Sequence, residues 1–277
     1  MGSLLGAAEI REIANRISIN PTKKLGQNFV VDANTCRRIV KVAGVQSDDI
    51  ALEIGPGLGS LTLALLEVAH TVVAIEIDKR LADELPTTVI SHGFDHERLI
   101  VINEDALTTQ TLPVAPTVLV ANLPYNVSVP VLLRILEKFP SIRSGVVMVQ
   151  SEVADRLVAV PGSKSYGSPS VKATWWADLS SAGNVARQVF WPIPNVDSSL
   201  VRFLRHQAAG DESQRTITFK VIDAAFAQRR KMLRSALSQL FAGQAEAKVA
   251  SAGINPTVRG ETLSLRDFIA IANTLEP

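Results

Sequence analysis

Four consecutive residues concentrate the chemistry of this 277-residue chain: Asn122-Leu123-Pro124-Tyr125. The Asn122 side-chain oxygen and the Leu123 main-chain carbonyl are adjacent neutral acceptors, a pair suited to the two hydrogens of an exocyclic amine. Pro124 lacks an N–H and fixes its own φ, so the turn is stiff. Tyr125 presents a flat face on which an unstacked base can rest, and Phe190 can close the opposite face. Phe190 and Trp191 read equally well as core aromatics. An amine attached to an aromatic ring is a poor nucleophile because its lone pair is delocalised. Two acceptors that grip its hydrogens and aim that lone pair therefore point to group transfer onto the nitrogen, accelerated mainly by positioning. Taken alone, the tetrapeptide also reads as an ordinary strand-ending turn.

A second cluster precedes it, Glu53-Ile-Gly55-Pro-Gly57-Leu-Gly59. Glycines here let the backbone turn sharply and a ligand approach the main chain. The third glycine comes one residue too early for the Gly-x-Gly-x-x-Gly dinucleotide fingerprint. Glu76 stands twenty-one residues after Gly55, where a carboxylate can accept from both hydroxyls of a ribose. Asp105 follows the next strand and can accept from an adenine amino group. Each acid alone reads as a surface charge; in order, after successive strands, they form a cofactor signature.

These residues need a scaffold that brings strand ends together. Short Val- and Ile-rich runs at 50–54, 71–75, 99–102, 118–121 and 146–149 read as strands buried on both faces. Helical stretches at 60–68, 79–85 (stopped by Pro86) and 131–138 separate them. The alternation predicts an α/β fold with a doubly wound, mostly parallel sheet and ligands at the carboxyl ends of its strands. Beyond Gln150 a helix over 151–158 leads into a Pro- and Gly-bearing run at 161–169, read as a mobile loop; its Lys164-to-Gly167 stretch reads first as a surface loop and second as a segment that orders over a substrate. Strands are expected at 171–176 and 200–204, a linker at 206–215 and helices thereafter. Ser264-Leu-Arg-Asp267 has the form of a capping box. The expected partition is a sheet domain over 1–205 and a small all-helical domain over 206–277.

Composition narrows the classes. With 47% apolar and 20% charged residues, the chain is a globular protein rather than a disordered one. Its single cysteine, Cys36, excludes an internal disulfide, and with four scattered histidines it leaves no zinc cluster. A zinc-dependent adenine deaminase is thereby excluded. No apolar run reaches the ~20 residues of a membrane span. Residues 1–16 lack a signal-peptide core, and Glu9 and Glu12 argue against a transit peptide. A soluble, cytoplasmic monomer that binds neither membrane nor metal is expected. The net charge of +1 hides a segregation: residues 11–41 carry +5 and residues 215–234 another +5, leaving −9 for the rest. Lys23, Lys24, Arg229, Arg230, Lys231 and Arg234 are the candidate phosphate contacts of a nucleic-acid face. Two solvated helix faces would give the same counts.

The motifs together carry a family resemblance. Glu-x-Gly-x-Gly-x-Gly resembles the first motif of S-adenosyl-L-methionine-dependent methyltransferases, and Asn-Leu-Pro-Tyr resembles the catalytic turn of ribosomal RNA adenine N6-dimethyltransferases. Lys24-Leu-Gly-Gln-Asn-Phe29, Val149-Gln-Ser-Glu152, Phe190-Trp-Pro-Ile-Pro-Asn-Val-Asp-Ser198 and Ala225-Phe-Ala-Gln-Arg-Arg-Lys231 agree. The resemblance is to the bacterial small-subunit (16S) enzymes that dimethylate two adjacent adenines during ribosome assembly. It implies the Rossmann-like class I methyltransferase sheet, S-adenosyl-L-methionine as cofactor and small-subunit rRNA as partner. It also implies cofactor contacts at Asn28 and Val30, beside Gly55, Gly57, Glu76, Asp105 and Asn122, and catalytic roles for Asn122, Leu123, Pro124, Tyr125 and Phe190. Alternatives are a large-subunit rRNA methyltransferase of the macrolide-resistance type, and a non-catalytic ribosome-assembly factor on the same fold. The long helical tail and the Phe-Trp-Pro-Ile-Pro stretch favour the small-subunit enzyme. The intact acidic and catalytic residues speak against loss of catalysis.

Overall fold

The computed structural model describes residues 2–19 and 28–275. The chain divides into two compact units, 1–154 with 180–205, and 155–179 with 206–277.

The first unit opens with α1 (Ala7–Arg16), the two-residue strand β1 (Phe29–Val30) and α2 (Ala33–Ala43). Strand and helix then alternate through β2 (Ile50–Ile54), α3 (Ser60–Leu66), β3 (Thr71–Ile75), α4 (Lys79–Ser91), β4 (Leu99–Ile102), β5 (Val118–Asn122), α5 (Ser128–Lys138) and β6 (Ser144–Gln150). Further along the chain come α6 (Ser151–Leu157), α7 (Ser168–Ala173), which falls in the second unit, and then β7 (Ala177–Val185), β8 (Phe190–Trp191) and β9 (Ser198–Arg205). Seven strands form one sheet in the order β4-β3-β2-β5-β6-β9-β7. From β4 to β6 neighbouring strands run parallel, and β9 returns antiparallel to β6. Leu52, Val72, Val73, Leu119, Val120 and Val146 are fully buried, as central parallel strands must be. The strand order reverses between β2 and β5, the switch point where a crevice opens in such sheets.

Register decides which residues meet there. Ile54 pairs with Ile75, and Ile75 with Ile102, so Gly55 and Glu76 leave the sheet at one level. Leu52 pairs with Leu119; carried three residues further, that register sets Asn122 level with Gly55.

At the other ends of the same strands, Asp49 is 1% exposed. It accepts from Thr117 Oγ1 at 2.5 Å, from the Gln46 amide at 2.8 Å and from Arg143 at 2.6 Å. Burial pushes its pKa up, but these donors together hold it below the ordinary value. The cluster ties the starts of β2, β5 and β6.

The second unit is helical, with α8 (Glu212–Ala227), α9 (Leu233–Ala236), α10 (Ala245–Ser251) and α11 (Leu265–Ala272). The expected Ser264–Asp267 capping box forms. Its core takes in Tyr166 and Val171 beside Val221, Ile222, Leu237 and Phe268, so 155–179 packs with these helices and the partition departs from a single boundary at 205.

Several local readings change. Residues 171–176 are not a strand: α7 covers their first half, entered at Gly167, whose N–H donates to Ser170 Oγ at 3.1 Å. The 161–169 stretch is no free loop and Lys164-to-Gly167 no lid, because Tyr166 is buried and its hydroxyl donates to the Leu263 carbonyl at 2.7 Å. The 206–215 linker ends early, since Asp211 accepts from the Gln214 amide at 2.8 Å and caps α8. Pro86 does not stop α4: buried Leu81, Leu85 and Val89 continue one apolar face through it, outweighing a penalty of ~3 kcal/mol.

Asp49→Ala should lower stability by about 2–3 kcal/mol, the range for charge-assisted hydrogen bonds to one buried acceptor. Because the folded-state pKa is depressed, this contribution is present above the ordinary Asp range and is lost as pH falls through the folded pKa. Urea unfolding at neutral and acid pH checks it: a shifted midpoint at neutral pH that converges on wild type in acid is expected, and identical neutral midpoints would contradict it.

Candidate active site

At the switch point lies a cleft of about 210 Å³. The glycine loop forms its floor. Gly57 and Gly59 hold φ values of +58° and +98°, which L side chains rarely adopt. A Cβ on Gly57 would meet the Phe29 ring at 2.8 Å, and one on Gly59 would meet Leu85 at 2.8 Å. Glycine at these positions thus serves both the turn and the close packing of β1 and α4 against it.

Glu76, just beyond β3, lines the cleft and accepts from the Gly57 amide at 3.1 Å and the Asp78 amide at 2.9 Å. Burial pushes its pKa up against these two donors. Asp105 also lines the cleft, one oxygen accepting from the Leu107 amide at 2.9 Å. Asn28, Val30, Gly55 and Asn122 complete the expected set, and all reach the same cavity.

Two buried polar lining residues stand outside the expected set. Glu53 is 1% exposed and accepts from Thr62 Oγ1 at 2.6 Å. Burial, with the charge of Glu76 adding, pushes its pKa up to about 8 against that hydrogen bond. The Ser60 hydroxyl is buried in the lining without a partner. Glu53 was visible as the acid that opens the glycine motif; Ser60 carried no signal. Among the described residues the lining contains four acids, Glu53, Glu76, Glu104 and Asp105, and no Lys, Arg or His. Such walls fit an uncharged or cationic ligand and oppose a phosphate. Ile77, 61% exposed, and Leu107 add apolar surface.

The Asn122 turn forms one wall. Asn122 Nδ2 donates to the Asn28 carbonyl at 3.1 Å. A carbonyl can face only the NH2 end of an amide, so Oδ1 is left as the open acceptor. The Leu123 amide donates to the Met148 carbonyl at 3.1 Å, and among the described residues no donor reaches the Leu123 carbonyl. Pro124 lines the cleft; Tyr125 stands outside its lining, with its phenol oxygen 2.7 Å from Ser198 Oγ. Phe190 is 1% exposed and absent from the lining. It pairs with Val30 in a short β1–β8 ribbon, in which Trp191 stacks on Phe29 at 6.2 Å. That ribbon, which sequence periodicity did not show, carries Asn28 to Asn122.

The basic residues sort by partner. In the second unit, Arg229 is tied to Glu261 at 2.9 Å and to the Lys164 carbonyl at 2.5 Å, and Arg234 to Glu246 at 3.5 Å. Arg230 and Lys231 are exposed and make no side-chain ion pair among the described residues. Lys23 and Lys24 lie outside the described residues. Among the described residues no group of three His, Cys, Asp or Glu could hold a metal, and no helix is long and apolar enough to cross a membrane.

Residues 19–276 match the ribosomal RNA adenine dimethylase family. The ribosomal RNA small subunit methyltransferase A of Leifsonia xyli subsp. xyli is 57% identical over 97% of this chain and 98% of its own. The protein of the same name from Kineococcus radiotolerans is 56% identical over 98% and 92%. Among solved structures, a dimethyladenosine transferase from Plasmodium falciparum shares the fold at a TM-score of 0.71 and 24% identity, covering 87% of this chain and 94% of that one. A 23S rRNA methyltransferase superposes at a TM-score of 0.65 and 25% identity over 90% and 99%.

Glu53 predicts a pH effect of defined sign. Its folded-state pKa lies above the ordinary value, so between about 4.5 and about 8 the folded chain binds a proton that the unfolded chain has lost, and stability falls as pH rises through that window. Glu53→Gln should flatten the fall by about 1 kcal/mol per pH unit, leaving any slope that Glu76 contributes in the same direction. Urea unfolding at several pH values between 5.5 and 7.5 measures it; equal slopes in variant and wild type would reject a protonated Glu53.

Proposed function

The chain belongs to the ribosomal RNA adenine dimethylase family, and from that premise we propose that it moves methyl groups from S-adenosyl-L-methionine to the N6 amines of two adjacent adenines in small-subunit rRNA, in the cytoplasm, as a monomer. The observation that carries this reading is the orientation of Asn122. Its NH2 is occupied by the Asn28 carbonyl, which leaves Oδ1 to accept, and the next carbonyl along the chain, that of Leu123, would serve as the second acceptor. The names of these two relatives support the small subunit as the source of the RNA.

The cleft fits the cofactor. A phosphate-free ligand with a positive sulfur suits a lining rich in carboxylates and lacking cations. Glu76 would accept from the ribose hydroxyls, Asp105 from the adenine amino group, and Ile77 and Leu107 would flank the ring. The glycine loop and the Ser60 hydroxyl would face the methionyl moiety. The cofactor supplies an electrophilic methyl group on a sulfonium sulfur.

Asn122 Oδ1 and the Leu123 carbonyl would each accept one N6 hydrogen of the target adenine. Held this way, the nitrogen is drawn out of conjugation with the ring and its lone pair gains a direction, so the barrier falls through orientation. Both acceptors are neutral, and neither needs to take a proton, because the cationic product amine sheds one to water. Tyr125 would stack on the base. Phe190, sealed in the core beside Val30, would support the ribbon rather than touch the base. Arg230 and Lys231, exposed and outside any ion pair among the described residues, would contact phosphates, with Lys23 and Lys24 as further candidates. Arg229 and Arg234 are already engaged with acids and would contribute less.

Incubation with labelled cofactor and under-methylated small subunits, followed by nucleoside analysis, should yield N6,N6-dimethyladenosine; absence of labelled adenine would end the reading. Asn122→Ala should slow transfer about 10²- to 10³-fold, the loss seen when one preorganised polar group is removed from a transition state; near-normal turnover would refute the acceptor role. Replacing Arg230 and Lys231 together by Ala should reduce the slope of log affinity against log salt by about 2, and an unchanged slope would remove them from the RNA contact.

A further inference from the structure

Tyr125 carries an oxygen that stacking does not require. A phenylalanine ring would stack as well, so the hydroxyl calls for its own account. Its oxygen lies 2.7 Å from Ser198 Oγ, and Ser198 is fully buried at the start of β9. The phenol stays neutral: burial pushes its pKa up, the Ser198 bond opposes this, and the charge of Asp197 adds to the rise.

The two ends of this bond differ in rigidity. Ser198 pairs with Gln150 in the β6–β9 ladder, and the Asp197 carbonyl just before it accepts from the Ser151 amide at 3.0 Å. Ser199 beyond it bonds Ser151 Oγ at 2.8 Å and the Asn184 side chain at 3.1 Å. Tyr125, by contrast, sits in a turn outside the sheet ladder, held by the Val127 N–H to the Pro124 carbonyl at 3.2 Å and by a longer bond from the Ser128 hydroxyl to its own carbonyl at 3.4 Å. The Tyr125 ring has two free torsions, and a hydrogen bond at its far end removes the freedom of both.

We propose that Ser198 is a positioning residue for methyl transfer: its hydroxyl anchors the Tyr125 phenol to the sheet and so fixes the angle at which the ring meets the target base. This rests on the stacking role given to Tyr125 above. The bond ties the strand-β9 side of the sheet, together with the 190–197 segment leading into it, to the turn that carries Asn122. A base held at a set tilt keeps its N6 within reach of both acceptors; a ring free to rock lets it drift.

The test is a double-mutant cycle in the full-length protein with under-methylated small subunits. Single-turnover transfer is measured at saturating RNA and cofactor, with cofactor affinity by calorimetry and melting temperature as controls. Ser198→Ala and Tyr125→Phe should each slow transfer about tenfold with cofactor and RNA affinities within twofold of wild type, and the double variant should match either single one. Independent losses that multiply to about a hundredfold would overturn the proposal. So would wild-type rates accompanied only by lower melting temperatures, which is the signature of a structural bond. Should Ser198→Ala fail to fold, Tyr125→Phe removes the same bond by deleting one oxygen, and a wild-type rate in that variant overturns the proposal alone. Wild-type protein that methylates no adenine defeats the parent reading, an outcome distinct from any in the cycle.

Discussion

The site depends on the hydrogen bond from Asn122 Nδ2 to the Asn28 carbonyl. A side-chain amide has two nearly isosteric ends with opposite hydrogen-bonding character, and which one faces a ligand decides whether it accepts or donates. Here the choice is made by a main-chain carbonyl that cannot donate. The carbonyl is held in place by a ribbon two residues long on each strand, pinned by the Phe29–Trp191 stack and by Phe190 in the core. Phe29 in turn lies where a side chain on Gly57 would be. Glycine loop, ribbon and amide therefore form one packed unit, and a change in any of them reaches the acceptor.

Electrostatics defines the other side of the cleft. Four acids and no cation among the described lining residues would repel a phosphate ligand. Burial sets the limits of this arrangement. Burial pushes Glu76 up against two main-chain amide donors, and it pushes Glu53, with one hydroxyl donor and the charge of Glu76 adding, up to about 8.

Much of this was readable from the sequence, for physical reasons. Central parallel strands are buried on both faces, so their Val- and Ile-rich runs stand out; β2, β3 and β4 fall where those runs predict. Site residues at strand ends follow once the strands are placed, which is why Gly55, Glu76, Asp105 and Asn122 converge. What could not be read depends on contacts distant in the chain. The β1–β8 ribbon joins Phe29 to Trp191 through strands too short to show a period. The Tyr125–Ser198 bond links positions 73 residues apart. Pro86 broke the expected helix on propensity, but the buried face of α4 overrode it. Residues 171–176 suggested a strand by their apolar run, yet Val171 and Ala173 are buried helical residues of α7.

The most direct measurement is a crystal structure with the demethylated cofactor, S-adenosylhomocysteine, and an adenine-bearing RNA fragment bound together. Asn122 Oδ1 and the Leu123 carbonyl should each lie about 2.8–3.2 Å from the adenine N6, with Asn122 Nδ2 still on the Asn28 carbonyl. An N6 that meets Nδ2, or that is held by other side chains while Asn122 turns away, would contradict the account.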